Sequence, residues 1–214
     1  MQSPSHQAHD TPTGLRAPGD YSVGELILEN QWLRHKEGFL NRLLMAMMLL
    51  TRQQSLVSGN LQEALRDITR MAALSVEVQR VSIWFFDETR RTLSCACIFD
   101  GRESLHGEGA RLDASDYPDY FAEVHRGRVI AADDALSDPR TREFREGYLT
   151  PLNISSMLDV PIKTGDRLAG VVCLEHTGPR RMWQPEEQQF AAFVSSLVSL
   201  TIEVAERLNG ALTR

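Results

Sequence analysis

The chain has 214 residues, of which 42% are hydrophobic and 24% are charged, and its formal net charge at pH 7 is −6. This length suits one domain with extensions, and the apolar content is sufficient for a substantial core. The acidic balance provides no basic surface for nucleic acid, and three cysteines are too few for a disulfide framework, so we expect a cytoplasmic protein.

The first fifty residues divide into a polar tail and a helix. Residues 1–20 are rich in Pro, Ser, Thr and Gly, which predicts a disordered tail with no secretory signal. From about Val23 an apolar residue recurs every seven positions, at Leu26, Leu33, Leu40 and Met47. This spacing predicts a coiled-coil helix over residues 21–57. An amphipathic helix lying on its own domain would show a similar pattern, so both arrangements remain open. The apolar run at 43–50 is too short to span a bilayer.

The rest of the chain alternates helical and extended patterns. Asn60 and Glu63 resemble a capping box that opens a helix, and a proline with two acids opens the last helix after Gln184. We predict strands at 81–87, 91–99 and 128–133, a hairpin over 155–178, and a short helix within 116–127. Residues 100–115 and 138–153 are predicted loops, the second with at most one helical piece. Because the first strand is apolar on both faces, we expect it to be central.

The predicted hairpin carries acidic residues in arms that are otherwise apolar. Met157 and Asp159 share one face of the first arm, and the opposite face is uniformly apolar and should pack on helices. In the second arm, the face of Asp159 contains either Cys173 and Glu175 or Leu174 and His176. Turn length decides this choice, because a slip of one residue exchanges the two faces.

These elements predict an α/β (α+β) domain around an antiparallel sheet of about five to six strands. The terminal helices should cover one face, and loops with a short helix should form a pocket on the other. We divide the chain into a tail at 1–20, a signalling helix at 21–57, a sensory domain at 58–206, and a helix end at 207–214, after which an effector could follow.

Several stretches resemble the GAF domain, a small-molecule sensory module of bacterial signalling proteins. SSMLDVPIKTGDRLAGVVCLEH is similar to the family's paired strands, and RRMWQPEEQQFAAFVSSLV is similar to the acidic start of its closing helix. The resemblance covers residues 58–206. It implies the GAF fold, a regulatory role without catalysis, and dimerisation through the terminal helices.

Two stretches are also similar to the bilin-binding GAF domain of phytochromes. ASDYPDYFAEVHRGRVI resembles its Ala-Ser-Asp-x-Pro helix start, and LAGVVCLEH resembles one of its strands. The resemblance implies that Met157, Asp159 and Glu175 face the ligand cavity, which places Cys173 there too, and it makes Asp116 a candidate. A cysteine for covalent bilin attachment is missing, and the Asn-Lys pair associated with cyclic nucleotides is replaced by His176-Thr177. The cofactor is therefore unknown.

Aromatic residues are concentrated in the two segments that would cover the open sheet face. They are Tyr117, Tyr120, Phe121, Phe144 and Tyr148. Such residues suit the wall of a ligand pocket, although they could equally form a minor core. Asp159 could recognise a ligand amine or hydroxyl, or it could hold Arg142 or Arg145 of the covering loop. Glu175 could face the same pocket or be solvated at the strand end.

The cysteines raise a metal site and a redox enzyme as alternatives. Cys95 and Cys97 are expected on one strand face, while Cys173 belongs to a strand beyond the central one, so their convergence on zinc should be poor. Some GAF proteins reduce free methionine sulfoxide with cysteines in their pocket loops, but here the 100–155 loops contain none. We expect a regulatory domain rather than a redox enzyme.

The sequence therefore predicts a regulatory domain that binds an unidentified small molecule. Its ligand-binding residues should be Asp159, Glu175, Met157, Cys173, Asp116, Tyr117, Phe121, Phe144 and Tyr148. We expect a homodimer formed through residues 23–50 and 186–208, with no nucleic-acid, membrane or metal partner. The alternative is a dimerisation scaffold whose cavity is filled by its own side chains.

Overall fold

The computed structural model describes residues 22–212, with side chains to residue 208. The tail predicted at 1–20 lies outside these residues. The chain divides into two compact units, Met1–Phe39 and Leu40–Arg214. In the first unit the described residues are helical from Val23 onward, and Leu26 and Leu33 are each 50% exposed.

The elements follow the predicted order. Within residues 22–212 the α-helices are α1 (Val23–Thr51), α2 (Leu61–Val76), α3 (Pro118–His125) and α4 (Pro185–Leu212). The strands are β1 (Arg80–Phe86), β2 (Thr92–Asp100), β3 (Leu105–Gly107), β4 (Arg111–Asp113), β5 (Ile130–Ala132), β6 (Ile154–Thr164) and β7 (Arg167–Thr177). Short 3₁₀ turns lie at Gln54–Leu56 and Arg142–Phe144, and a π-helical turn follows at Arg145–Leu149.

The seven strands form one antiparallel sheet in the order β3-β2-β1-β7-β6-β5, with β4 also paired to β2. The α+β class and the central place of β1 are confirmed. The predicted count of five to six strands is too low, because residues 100–115 are not only a loop. Two three-residue strands in that segment pair with β2. They are too short to show an alternating pattern in the sequence.

One face of the sheet is covered by α2 and α4, as predicted. Ile68 of α2 and Val198 of α4 are fully buried in this layer, as is Ile83 of β1. The N-terminus of α2 is capped by the Asn60 side chain, which accepts from the Glu63 amide at 3.2 Å. Gly170 of β7 permits the close approach of β1, because an added Cβ would lie 1.9 Å from the Trp84 carbonyl oxygen.

Helix α4 is long and apolar enough, over Pro185–Leu208, to cross a membrane by length and composition. Half of its most apolar stretch is buried inside the protein, as in the core helix of a domain. In the part of α1 that belongs to the second unit, the buried residues are Leu43, Ala46 and Leu50. The predicted repeat of one apolar residue every seven positions continues there with Leu40 and Met47, which are half-buried, whereas Leu44 and Met48 are exposed.

Candidate functional site

The floor of the candidate site is the β6–β7 hairpin. Its register is set by the two-residue turn at Gly165-Asp166 together with a β-bulge at the Ile162–Lys163 step, where Ala169 is the extra residue. Asp159 pairs with Cys173, and Met157 pairs with Glu175. Residues that oppose each other or lie two apart share a face. The four side chains therefore point to the same side of the sheet, away from α4, and the register adopted from the phytochrome resemblance is confirmed.

A cavity of about 110 Å³ lies on this face, between the sheet and its cover. Its walls come from the sheet, from α3 and from the π-helical turn. They are formed by Trp84, Leu112, Tyr117, Tyr120, Phe144, Gly147, Tyr148, Met157, Cys173 and Glu175. The rings are packed against each other, with the Tyr117 and Phe144 centroids 4.5 Å apart and the Tyr120 and Phe144 centroids 4.8 Å apart. Aromatic walls with a few polar groups are typical of ligand pockets.

The nine residues predicted to bind ligand lie at different depths around this cavity. Six of them line it: Met157, Cys173, Glu175, Tyr117, Phe144 and Tyr148. Asp159 lies behind Tyr120 and Cys173. Phe121 is buried against Phe86, with ring centroids 6.0 Å apart. Asp116 is exposed before the start of α3 and is not part of the lining. Ligand binding by these residues stays a prediction.

Asp159 is a buried carboxylate with one engaged oxygen. The side chain is 1% exposed, and Oδ2 accepts the Tyr120 hydroxyl proton at 2.8 Å. Oδ1 has no hydrogen-bond partner within the described part of the chain. Loss of hydration raises the pKa of Asp159 to about 7, against the smaller opposing effect of the Tyr120 hydrogen bond. This carboxyl group therefore changes charge near neutral pH.

The covering loop does not hold Asp159 through an arginine. Arg142 contacts Asp119 at 3.5 Å, and Arg145 donates to the carbonyl oxygen of Leu136. The hypothesis that Arg142 or Arg145 binds Asp159 is therefore wrong. Arg142 belongs to the 3₁₀ turn and Arg145 to the π-helical turn, and both residues are exposed.

Glu175 belongs to a buried ionic network. It is 3% exposed, so the alternative of a solvated strand end is wrong. Arg80 Nε donates to Glu175 Oε2 at 2.9 Å, and the Tyr148 hydroxyl donates to Oε1 at 2.8 Å. Arg80 also binds Asp100 at 2.5 Å. Burial raises the pKa of Glu175, while Arg80 and Tyr148 oppose that change by stabilising the carboxylate.

Sequence reasoning missed Arg80. It stands one residue before the apolar run at 81–87 and becomes the first residue of β1, directly opposite Glu175 of β7. The partner lies 95 residues away in the sequence. A lone arginine at the edge of a buried strand was the available signal, but only the pairing of β1 with β7 identifies the carboxylate that it binds.

Glu143 is a second residue that sequence reasoning missed. Its carboxylate accepts from the backbone amides of Asp119 at 3.1 Å and Tyr120 at 2.9 Å, at the start of α3. Tyr117, at the N-cap position, makes no side-chain capping bond. The covering turn thus supplies the cap of α3, and the negative charge of Glu143 also interacts favourably with the positive end of the helix dipole. This cap joins the two aromatic segments that cover the cavity.

Cys95 and Cys97 do not share a face, contrary to prediction. Ile83 pairs with Cys97 and Trp84 pairs with Cys95, so Ala96 is an extra residue in a β-bulge. Cys95 joins the cavity-side core, whereas Cys97 lies 3.6 Å from the Thr69 hydroxyl of α2. Within residues 22–212 no group of three or more His, Cys, Asp or Glu side chains could hold a metal ion.

Comparison with known proteins agrees with this architecture. No curated protein matches the chain. The GAF domain of an Acinetobacter phosphoenolpyruvate-protein phosphotransferase superposes with a TM-score of 0.59 at 18% identity, covering 78% of this chain and 94% of that one. Residues 122 to 287 of a methyl-accepting chemotaxis protein give 0.61 at 17% identity, covering 76% and 98%.

A third similar structure belongs to an enzyme. Free methionine-R-sulfoxide reductase from Neisseria meningitidis, in complex with its substrate, gives a TM-score of 0.58 at 9% identity, covering 79% of this chain and 91% of that one. At such identities the three likenesses show the fold alone. The model of the GAF domain family matches residues 60–202, which is most of the described domain. This chain therefore belongs to the GAF domain family.

Proposed function

We propose that this chain is a cytoplasmic sensory domain of a bacterial signal-transduction protein, which binds a small molecule in the cavity and regulates a partner activity. One observation carries the proposal: two buried carboxylates, Asp159 and Glu175, lie at and beneath an aromatic-walled cavity. Apolar residues would usually give an equally stable or more stable core than buried charges. Their presence at this cavity is explained by recognition of a ligand.

The contacts of the cavity floor and cover supply a route to α4. Ser195 of α4 donates to the carbonyl oxygen of Pro161 in β6 at 2.7 Å. In the connection before α4, the Trp183 amide donates to Asp133, just after β5, at 2.9 Å. Arg181 stacks on Trp183, 4.9 Å from its ring centroid, and pairs with Glu187 in the first turn of α4. A shift of the sheet on binding would therefore move the start of this helix.

The thiols favour a regulatory role over redox catalysis. Cys95, Cys97 and Cys173 are all buried free cysteines. Burial raises the pKa of Cys95 to about 12, and it raises the pKa values of Cys97 and Cys173 as well. A nucleophilic cysteine needs an accessible thiolate.

A thermal-shift screen of amines, nucleotides, tetrapyrroles and organic acids tests the proposed cavity. Gly147 lies at the exposed rim, and a Cβ added there meets nothing within 4 Å. Gly147→Met should therefore narrow the entrance without disturbing the core. We expect at least one compound to raise the melting temperature of the wild type. At one hundred times its Kd, such a compound should increase the free energy of unfolding by about 2.7 kcal/mol. That shift should be lost in Gly147→Met.

Gly38→Met is the matched control, because Gly38 is also open to solvent but lies in the first unit, on α1. It should retain the full shift. If no compound shifts the wild type, or if Gly147→Met keeps an undiminished response, the sensory proposal is wrong. A ligand-free dimerisation scaffold would then be the better account.

We further propose that the domain is a homodimer formed through residues 23–50 and 186–208. The support is the exposure of apolar side chains in both units: Leu26 and Leu33 in the first, and Leu44, Met48 and Leu200 in the second. A lone protein rarely exposes so much apolar surface, and a closed two-fold dimer is the commonest way to cover it.

Light scattering should accordingly give a dimer mass at concentrations on the order of tens of micromolar. Leu26→Lys combined with Leu33→Lys should shift the protein to monomer, because charge replaces the apolar stripe. Gln31→Lys combined with His35→Lys adds equal charge to the opposite helix face and should leave the dimer intact. A wild-type monomer, or equal effects of the two double variants, would refute the interface.

A further inference from the structure

Three hydrogen-bond donors of the cavity wall, those of Tyr120, Tyr148 and Trp84, are already used within the protein. The Tyr120 hydroxyl donates to Asp159, and the Tyr148 hydroxyl donates to Glu175. Trp84 Nε1 donates to the Ser82 hydroxyl at 2.8 Å. A phenol has one proton to donate but can still accept, and indole is a donor only. The Tyr148 oxygen also accepts from Arg80 at 3.3 Å, so the acceptors left among these groups are the Tyr120 oxygen and the Glu175 carboxylate. These electron-rich atoms favour a ligand with a positively charged group.

The charges around the cavity are arranged against an anion. The lining side chains include one carboxylate, Glu175, and no lysine or arginine. Arg80 lies behind this wall, and its guanidinium is divided among Glu175, Asp100 and the Tyr148 hydroxyl. The start of α3 is already occupied by the Glu143 carboxylate. A carboxylate or phosphate ligand would thus be desolvated without gaining a free cationic partner.

Asp159 adds an incompletely satisfied acceptor just behind the wall. Its two neighbours, Tyr120 and Cys173, both line the cavity, and its Oδ1 is buried without a partner in the described residues. An ionised carboxylate that is buried without a compensating charge is costly. A nearby positive charge would also favour the ionised carboxylate.

The walls and the volume restrict the size and shape of the ligand. Five lining side chains are aromatic: Trp84, Tyr117, Tyr120, Phe144 and Tyr148. Aromatic faces attract cations through the ring quadrupole, most strongly when water is excluded. The volume of about 110 Å³ is below the roughly 150 Å³ of a cavity that accepts benzene. Nucleotides and tetrapyrroles are too large for it as it stands. A trimethylammonium group has fewer heavy atoms than benzene, and a short arm attached to it can extend past the exposed rim at Gly147.

We therefore propose, resting on the proposed sensory function, that the ligand is a small organic ammonium ion, held against the aromatic faces and stabilised by the carboxylates of Glu175 and Asp159. The alkyl groups of the ion lie on the rings. Because Arg80 already pairs with Glu175, the charge of the ion chiefly compensates Asp159, which forms no ion pair within the described residues. The apolar walls exclude the inorganic cations, which would lose their hydration without enough oxygen ligands in return.

Calorimetric titration with three probes of the same shape tests this inference. Choline carries the charge, 3,3-dimethylbutan-1-ol replaces its nitrogen by carbon, and 3,3-dimethylbutanoate carries a negative charge. We expect choline to bind at least about tenfold more tightly than the alcohol, since each cation–π contact contributes about 0.5–2 kcal/mol. The anion should show no binding.

The affinity for choline should also rise with pH. The groups that face Asp159 are Tyr120 of α3, Cys173 and Glu175 of β7, and Arg140 of the covering segment. If the cation binds the ionised form of Asp159, the affinity should increase about tenfold from pH 6 to pH 8. Asp159→Asn retains an acceptor for Tyr120. It should abolish this rise with pH and reduce the preference over the alcohol to the part that the aromatic rings supply. Asp116→Asn removes an exposed carboxylate outside the lining and serves as the control.

Equal or tighter binding of the alcohol or the anion would overturn the ammonium assignment while leaving the sensory function in place. Absence of choline binding to the wild type would also overturn it. The proposed function is judged separately, by whether any compound in the broader screen produces a shift that Gly147→Met removes. Choline binding that is unchanged in Asp159→Asn would remove Asp159 from the recognition site and so refute its assigned role.

Discussion

Replacement of Arg80 by leucine is expected to lower the free energy of unfolding by about 3–5 kcal/mol. The Arg80 side chain is 12% exposed, and the side chain of its partner Glu175, taken without its backbone, is 4% exposed. Without the guanidinium, the Glu175 carboxylate remains buried with only the Tyr148 hydroxyl as a partner. Urea unfolding at neutral pH measures the loss directly.

Two further variants separate the buried network from a general loss of charge. Arg102 also binds Asp100, at 2.6 Å, but it is 41% exposed, so Arg102→Leu should cost no more than about 1 kcal/mol. Combining Arg80→Leu with Glu175→Leu removes both buried charges and should restore part of the stability. A loss below about 1 kcal/mol for Arg80→Leu alone would mean that this network does not stabilise the fold.

Acidification should reduce the cost of Arg80→Leu. Burial already raises the pKa of Glu175, and loss of Arg80 removes an opposing influence, so the pKa should rise further in the variant. A group whose pKa is raised on folding adds stability at pH values below its unfolded pKa, and that stability is lost as the pH rises through its folded pKa. The deficit of the variant should therefore be smallest in acid.

Asp159 is expected to make the stability of the wild type fall between about pH 4 and pH 7, relative to Asp159→Asn. The pKa of its carboxyl group is about 7 in the folded protein and 3.8 when unperturbed. The difference is about 3 pKa units, and each corresponds to about 1.4 kcal/mol, which gives a total on the order of 4 kcal/mol. The sign follows because the folded state retains the proton that the unfolded chain has already released.

Urea unfolding at intervals from pH 5 to pH 8 tests this prediction. Asparagine cannot ionise, yet its carbonyl oxygen can accept the Tyr120 hydroxyl bond, so its own burial cost is independent of pH. Other titrating groups contribute equally to both proteins and cancel in the difference. Stability curves that stay parallel over this range would show that Asp159 ionises at an ordinary pKa. Asp116→Asn, at an exposed site, should track the wild type.

The hairpin shows how far prediction from the sequence extends. The alternation of Asp159 with Leu158 and Val160 predicts which residues lie on the cavity face, since a strand has a strict period of two. The register depends on the two-residue turn, which pairs Thr164 with Arg167, and on a β-bulge at the Ile162–Lys163 step, which pairs Asp159 with Cys173 instead of Val172. The sequence likewise identifies the aromatic segments at 116–127 and 138–153 as the cover of the cavity. It does not show which rings line the cavity and which, like Phe121, fill the core.

The chain by itself determined the order of its elements, the central place of β1, the capping of α2 by Asn60, and the concentration of acidic and aromatic residues at one face of the sheet. These depend on local periodicity and local hydrogen bonds. The tertiary structure alone decided that Arg80 neutralises Glu175, that Glu143 caps α3, and that the bulge at Ala96 places Cys95 and Cys97 on opposite faces. Each of these arises from a contact between segments far apart in the sequence, or from an irregularity in strand pairing. Hydrophobic periodicity in the sequence predicts neither the distant contacts nor the irregular pairing.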